Sequence, residues 1–292
     1  MTPLDTAWLA AHPLPEPAPD TDKNSRGHVL VAGGSETVPG ALRLTGEAAL
    51  RAGAGKLQLA TVERIVLQLG MLVPEAAVFP LPANPAGELG AAAGEILCSY
   101  LEPCDTLVLG PGMGAEANAT DILKAALAEP RTALSLVVDA AVIAAAADCA
   151  AEIHAHDGRI VLTPHPGEMK RLMGCDEARI ANDPAGLAQE AARRFNATIV
   201  LKGAETWIAC PRTGLLHYSG GGPGLATGGS GDVLAGIIGG LMSRGTEPRT
   251  AAAWGVWLHG EAGKRLAERI GPLGFLAREL PGEVPGLLAS TG

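Results

Sequence analysis

Short runs of β-branched and aliphatic residues alternate with Ala-rich stretches along most of the chain, and this alternation restricts the fold more than any other feature. Strands are expected at residues 28–32, 56–61, 106–110, 134–139, 159–163 and 198–202. Helical stretches lie between them, for example 40–52 and 117–129. A parallel neighbour needs a crossover long enough to hold a helix, so strands separated by helices imply parallel pairing. The implied fold class is α/β, a mainly parallel central sheet with helices on both faces. Two further runs, 206–210 and 215–219, flank a Pro-to-Gly turn at 211–214 and predict an antiparallel hairpin at the sheet edge. Residues 1–26 are rich in Pro and Asp and read as an N-terminal arm. No repeat or low-complexity linker divides residues 27–292, which read as one domain.

Charge and cysteine content remove several function classes. The formal net charge is −9 and no Lys/Arg block occurs, whereas a nucleic-acid groove needs a basic stripe. An anionic ligand stays open if backbone N–H groups supply the positive potential. The five cysteines are odd in number and form no C-x-x-C pair, which argues against a disulfide framework and a zinc site. They read as small buried apolar residues. No basic segment precedes an apolar run at Met1, so no signal peptide is expected. The most apolar stretch, 134–147, contains Asp139 and is too short for a membrane span. The expected location is the cytoplasm, with neither nucleic acid nor membrane as partner.

The Gly-rich segments fall at the carboxyl ends of the expected strands, where open α/β sheets bind ligands. Thr227-Gly-Gly-Ser-Gly-Asp232 precedes a run, 233–241, that is apolar nearly all round and should be a buried helix. Its glycines allow close approach of an anion, and the free first-turn N–H groups would hold developing negative charge. Asp232 would stand beside a transferring phosphate and could accept a proton from a substrate hydroxyl. The plainer alternative is a tight turn with Asp232 as an N-cap. Lys202-Gly-Ala-Glu-Thr206 permits close approach of a nucleotide, with Lys202 or Thr206 donating to phosphate, or else is a turn with a surface lysine. Thr163-Pro-His-Pro-Gly-Glu168 is stiffened by two prolines that would fix His165 and Glu168. His165 could bind a ligand or assist proton transfer, or the segment could simply begin a helix. Gly33 to Ala41 and Gly110-Pro-Gly-Met-Gly114 are weaker loop signals. Neither matches a P-loop or completes a dinucleotide fingerprint. Asp139 could support a metal-bound water or a substrate hydroxyl, or cap the next helix.

In this order the motifs resemble the ADP/ATP-dependent NAD(P)H-hydrate dehydratases, a branch of the ribokinase-like superfamily. The likeness runs from about Lys23 to the C-terminus. It includes Gly27-His-Val-Leu-Val-Ala-Gly-Gly-Ser35, Pro39-Gly-Ala41, Leu50-Arg-Ala-Gly-Ala-Gly55, Leu109-Gly-Pro-Gly-Met-Gly114 and Thr163-Pro-His-Pro-Gly-Glu168. Leu201-Lys-Gly-Ala204, Leu225-Ala-Thr-Gly-Gly-Ser-Gly-Asp-Val-Leu-Ala-Gly236 and His259-Gly260 complete it. The resemblance implies a ribokinase-like three-layer sandwich and a lyase reaction. A hydroxyl of the hydrated nicotinamide ring of NADHX or NADPHX, in the S epimer, takes phosphate from ADP or ATP. Phosphate then leaves and NADH or NADPH returns. By the same resemblance Ala41, Gly112, Gly114, His165 and Asp232 face the dinucleotide hydrate, with Asp232 the catalytic base. Lys202, Gly203, Ala204, Glu205, Thr206, Thr227, Gly228, Gly229 and Gly231 face the adenine nucleotide. Mg²⁺ is implied by phosphoryl transfer, but no protein ligand for it is evident. A homo-oligomer, up to a tetramer, and a functional partnership with a separate NAD(P)H-hydrate epimerase are also implied.

Two departures stand out. The family has Asp-Ala-Asp-Ala-Leu-Asn after the central strand, where this chain reads Asp139-Ala-Ala-Val-Ile-Ala144. Gly222 precedes Pro223 where the family often has Asn. A ribokinase-like vitamin or sugar kinase shares the Gly-rich loop and Asp232 but would release a phosphate ester. A nucleotide-binding homologue that has lost activity would fit the missing second Asp, although Asp232 is retained.

Overall fold

In the computed structural model every residue is described except Pro17, Pro19, Glu116, Pro130 and Gly292. Pro17 and Pro19 of the expected arm, and Glu116, Pro130 and Gly292 of the expected domain, thus lie outside the described residues. The described strands are β1 (Thr2–Pro3), β2 (His28–Ala32), β3 (Lys56–Val62), β4 (Ala76–Leu81) and β5 (Thr106–Leu109). They continue with β6 (Ser135–Val138), β7 (Ile160–Leu162), β8 (Thr198–Leu201), β9 (Thr206–Cys210) and β10 (Thr213–Tyr218). All join one sheet in the order β1-β10-β9-β8-β7-β6-β5-β2-β3-β4. From β4 across to β8 every pairing is parallel, and β9 and β10 form the antiparallel hairpin.

The apolar runs explain the layers. Successive side chains on a strand point to opposite faces, and both faces here are covered. Leu30, Leu107, Leu109, Leu136, Val138, Ile160 and Leu162 enter one core. Val29, Val31, Val108, Val137 and Val161 enter the other, together with the helix Ser230–Ser243. That helix is buried throughout from Val233 to Ser243, as its all-round apolar pattern requires. It presses on the helix Gly40–Arg51 so closely that a Cβ on Gly236 would lie 2.2 Å from Thr45 O.

All six strands expected from alternation form. β4 was not expected, because Pro80 interrupts it; it is an edge strand, where a missing N–H is tolerated. The hairpin is not the outermost element. β1 pairs with β10 beyond it, and Leu4 N–H donates to His217 O at 2.8 Å. Within the segment read as an arm, the helix Thr6–Ala11 buries Trp8 and Leu9, and Trp254 Nε1 donates to His12 O. The first dozen residues are therefore built into the sheet edge. The five cysteines are free, and burial pushes the Cys104 thiol up to about 12. No described helix is long and apolar enough to cross a membrane.

Candidate active site

β2 and β5 are neighbours, but the chain leaves β2 toward β3 and β4 and leaves β5 toward β6. Such a reversal opens a crevice at the carboxyl ends of the two strands. Gly33, Gly34, Gly110 and Gly112, the glycines at those ends, all have positive φ. At Gly110 (φ 122°) a Cβ would lie 2.0 Å from Asp139 O, so only glycine lets the ends of β5 and β6 approach. Gly34 N–H donates to Pro111 O at 2.7 Å and locks the two loops together. A Cβ on Gly112 would lie 2.8 Å from that of Ala41, so these two expected substrate residues share one wall. Gly114 N–H donates to Glu88 Oε2 at 3.0 Å.

The next strand ends deliver charge. Asp139, just past β6, is buried and accepts from Thr163 Oγ1 at 2.6 Å and from Lys202 Nζ at 2.7 Å. It caps nothing: the cap position of the helix Ala141–Ala145 is Ala140, whose φ of 53° turns the chain sharply. Lys202 is not a surface lysine. Burial opposes its charge, but Asp139, Glu168 and Asp232 outweigh that, and its pKa is raised. Its N–H donates to Pro164 O, which joins the 202–206 loop to the 163–168 loop.

His165 starts the helix Pro166–Met173 in a reciprocal capping box. Gly167 N–H donates to His165 Nδ1 at 3.0 Å, and His165 N–H donates to Glu168 Oε2 at 2.8 Å. The ring proton is therefore on Nε2, 3.3 Å from Glu168 Oε1. With both nitrogens committed, His165 offers a fixed neutral ring rather than a free base. Burial, with Lys202 beside it, holds its pKa below the usual value. Burial lifts Glu168 to about 6, against the pull of Lys202.

Thr227 to Asp232 close the site. Gly229 (φ 89°) is the N-cap of the helix Ser230–Ser243 and provides no side-chain cap. Asp232 sits in the first turn, and no hydrogen bond from a described residue ends on its carboxylate. The N-cap alternative therefore does not hold. Burial, reinforced by Asp139 and opposed by Lys202, lifts Asp232 to about 7. A Cβ on Gly231 would lie 3.4 Å from Lys202 Nζ and 3.9 Å from Asp139 Oδ2, so loop, cation and carboxylates form one cluster. Gly203, Ala204 and Glu205 are exposed beside it. They line a cavity of about 730 Å³ with Lys202, Ile180 and Trp207. Thr206 opens β9, and the Glu205 carboxylate reaches His217 Nε2 at 3.3 Å. Thr227 and Gly228 lie on the loop itself, where Ser230 N–H donates to Thr227 O.

Residues 29–285 match the family model described as NAD(P)H-hydrate dehydratase. The chain belongs to the NAD(P)H-hydrate dehydratase family. It is 46% identical to the ADP-dependent (S)-NAD(P)H-hydrate dehydratase of Xanthomonas campestris, over 98% of this chain and 95% of that one. It is 39% identical to a bifunctional NAD(P)H-hydrate repair enzyme of Moorella thermoacetica, over 98% of this chain but 53% of the relative. The chain thus spans about half the length of that bifunctional relative. The ADP/ATP-dependent NAD(P)H-hydrate dehydratase of Bacillus subtilis, co-crystallised with ATP/Mg²⁺, superposes with a TM-score of 0.82 at 25% identity. That match covers 100% of this chain and 99% of the other. A ribokinase-like protein of Enterococcus faecalis gives 0.85 at 28% identity, covering 100% and 96%.

Among residues of this dehydratase-family chain that sequence reasoning passed over, three belong to the cluster or its support. Glu88 is buried and anchors Gly114, yet it lies in a loop with no motif. Thr163 entered only as the start of a motif, and its hydroxyl bonds Asp139. Ser230 entered only as a loop residue, and its hydroxyl lies 2.9 Å from His259 Nε2. Polar residues at strand ends were the available signal for Thr163. Nothing local marks Glu88.

Proposed function

We infer that this chain catalyses the ADP-dependent dehydration of the S epimer of hydrated NADH or NADPH, returning NAD(P)H with release of AMP and phosphate. The observation that carries the reading is Asp232. Its carboxylate accepts no hydrogen bond from a described residue, is lifted to about 7, and is set in the helix turn that follows the Gly-rich loop. A base poised near neutrality suits removal of a hydroxyl proton.

In this reading the ring hydroxyl gives its proton to Asp232 as its oxygen bonds the terminal phosphorus of ADP. The bond from that phosphorus to the AMP oxygen breaks. Charge developing on the transferred group meets the first-turn N–H groups of Gly231 and Asp232 and the Lys202 ammonium. The phosphate ester then breaks at carbon, phosphate departs with the bonding pair, and loss of a ring proton restores the double bond. Ala41, Gly112, Gly114 and the pinned His165 ring form the wall proposed for the hydrated nicotinamide. Residues 202–206 and 227–231 are proposed for the nucleotide.

Among the described residues no group of three or more His, Cys, Asp or Glu side chains could hold a metal. The Oδ1 atom of Asp139 already accepts from Lys202 and Thr163. A resident Mg²⁺ site does not fit, and Mg²⁺ is proposed only as the companion of the nucleotide phosphates. A separate epimerase would supply the S epimer, and the proposed location is the cytoplasm. Self-association is proposed at the helix Val66–Leu72, where Leu67 and Met71 are 81% and 85% exposed beside edge strand β4.

The test is incubation with NADHX and, in parallel, ADP or ATP. Returning NADH absorbance with stoichiometric phosphate is expected, faster with ADP. A stable phosphate ester would instead indicate a kinase, and no consumption of either hydrate would end the repair reading.

A further inference from the structure

The Ser230–His259 pair has no part in the chemistry above. Ser230 is the first residue of the helix Ser230–Ser243, directly behind the Gly-rich loop, and is buried. His259 comes from the middle of the neighbouring helix Pro248–Arg269. Its Nε2 lies 2.9 Å from Ser230 Oγ. Burial, helped by the nearby Lys202 ammonium, depresses its pKa to about 4, so the ring is neutral at working pH. A neutral imidazole holds one geometry with a hydroxyl and adds no second cation beside Lys202.

Docking of the helix does not need this bond. Gly236 and Gly240 already seat it against the helix Gly40–Arg51, where added Cβ atoms would lie 2.2 Å from Thr45 O and 2.5 Å from Ala49 O. Gly255 does the same from the other side, 2.5 Å from Ile238 Cγ1. At the end carrying the loop the close contacts are to side chains, a Cβ on Gly229 lying 2.5 Å from Leu44 Cδ1 and 3.3 Å from Ala277 Cβ. There Thr227, Gly228 and Gly229 contribute little side-chain packing, and Ser230 N–H is used within the loop by Thr227 O. The Ser230 hydroxyl adds a directional polar anchor to that end.

We propose that His259 is a positioning residue for phosphoryl transfer, acting through the Ser230 hydroxyl to hold residues 227–232 in the geometry that receives the transferred phosphate. The proposal rests on the dehydratase reading for its kinetic consequence but not for its structural one.

Three variants test it: His259→Leu, His259→Gln and Ser230→Ala, with kcat, KM and amide hydrogen exchange measured on each. His259→Leu should lower kcat about 10²-fold, as for misplacement of reacting groups by about 1 Å, with the KM for ADP little changed. Ser230→Ala should show the same loss, and the double variant no further loss, because both remove one interaction. Glutamine carries an N–H where the imidazole has Nε2, so His259→Gln should recover most of the rate. Exchange should rise at residues 227–232 in the Leu variant and stay unchanged at 236–243. Wild-type kcat in Ser230→Ala or His259→Leu overturns the proposal, as do multiplicative losses or a uniform rise in exchange along the helix. If His259→Leu fails to fold, Ser230→Ala and His259→Gln decide on the same readouts. A wild-type protein inactive on NADHX would sink the dehydratase reading, and exchange alone would then judge this one.

Discussion

Asp232→Asn should give a protein that is catalytically crippled yet more stable at neutral pH. The carboxylate accepts no hydrogen bond from a described residue, so the amide forfeits none. Burial and Asp139 raise the folded-state pKa from 3.8 to about 7, with Lys202 opposing. An acid whose folded pKa is raised favours the folded state fully below its unfolded pKa. It loses that contribution as pH climbs through the folded value. Asparagine does not ionise, so the stability gap between variant and wild type should be near zero at pH 4. It should widen across pH 4–7 and level off above about 7. At about 1.4 kcal/mol per unit the gap reaches at most about 4 kcal/mol. Turnover should fall about 10²–10⁴-fold, the worth of a positioned general base. In the wild type, kcat should drop about tenfold per pH unit below about 7, as the base is protonated. The assay is thermal unfolding from pH 4 to pH 8 beside NADH recovery from NADHX. A variant that turns over at near wild-type rate would remove Asp232 from the mechanism. A Tm difference independent of pH would refute the buried, raised carboxylate.

Lys202→Met should destabilise the fold by about 3–5 kcal/mol, because it strands the buried Asp139 charge. It should also move the acid limb of the rate profile above pH 7, since the cation holding Asp232 down is gone; an unmoved limb would contradict the coupling. Thr163→Val should cost about 1.5–3 kcal/mol, read from denaturant unfolding, for the lost hydrogen bond to Asp139. Gly110→Ala should abolish turnover and lower the melting temperature by several degrees, since its Cβ would collide with Asp139 O at 2.0 Å. A fully active, stable Gly110→Ala protein would show that the two strand ends need not approach.

Several features were legible in the residue order because their causes are local. Runs such as residues 28–32 and 106–109 are apolar on both sides of the pleat, which only a strand covered on both faces tolerates. The all-round apolar stretch after Asp232 could only be a buried helix. Glycines at strand ends marked where backbone approaches backbone, as Gly110 does at Asp139. What the tertiary structure decided is the company each side chain keeps. Asp139 and Lys202 are 63 positions apart, and Ser230 and His259 are 29 apart. Periodicity records which face of an element is buried, not which distant residue lies opposite. Asp232 could be a cap or a free carboxylate until Gly229 was seen to occupy the cap position. His165 could be a base or a cap until its two nitrogens were seen committed to Gly167 and Glu168. β1 and β4 escaped notice because two residues, or a strand holding proline, carry no pattern of their own; they become strands only because the sheet already offers an edge to pair with.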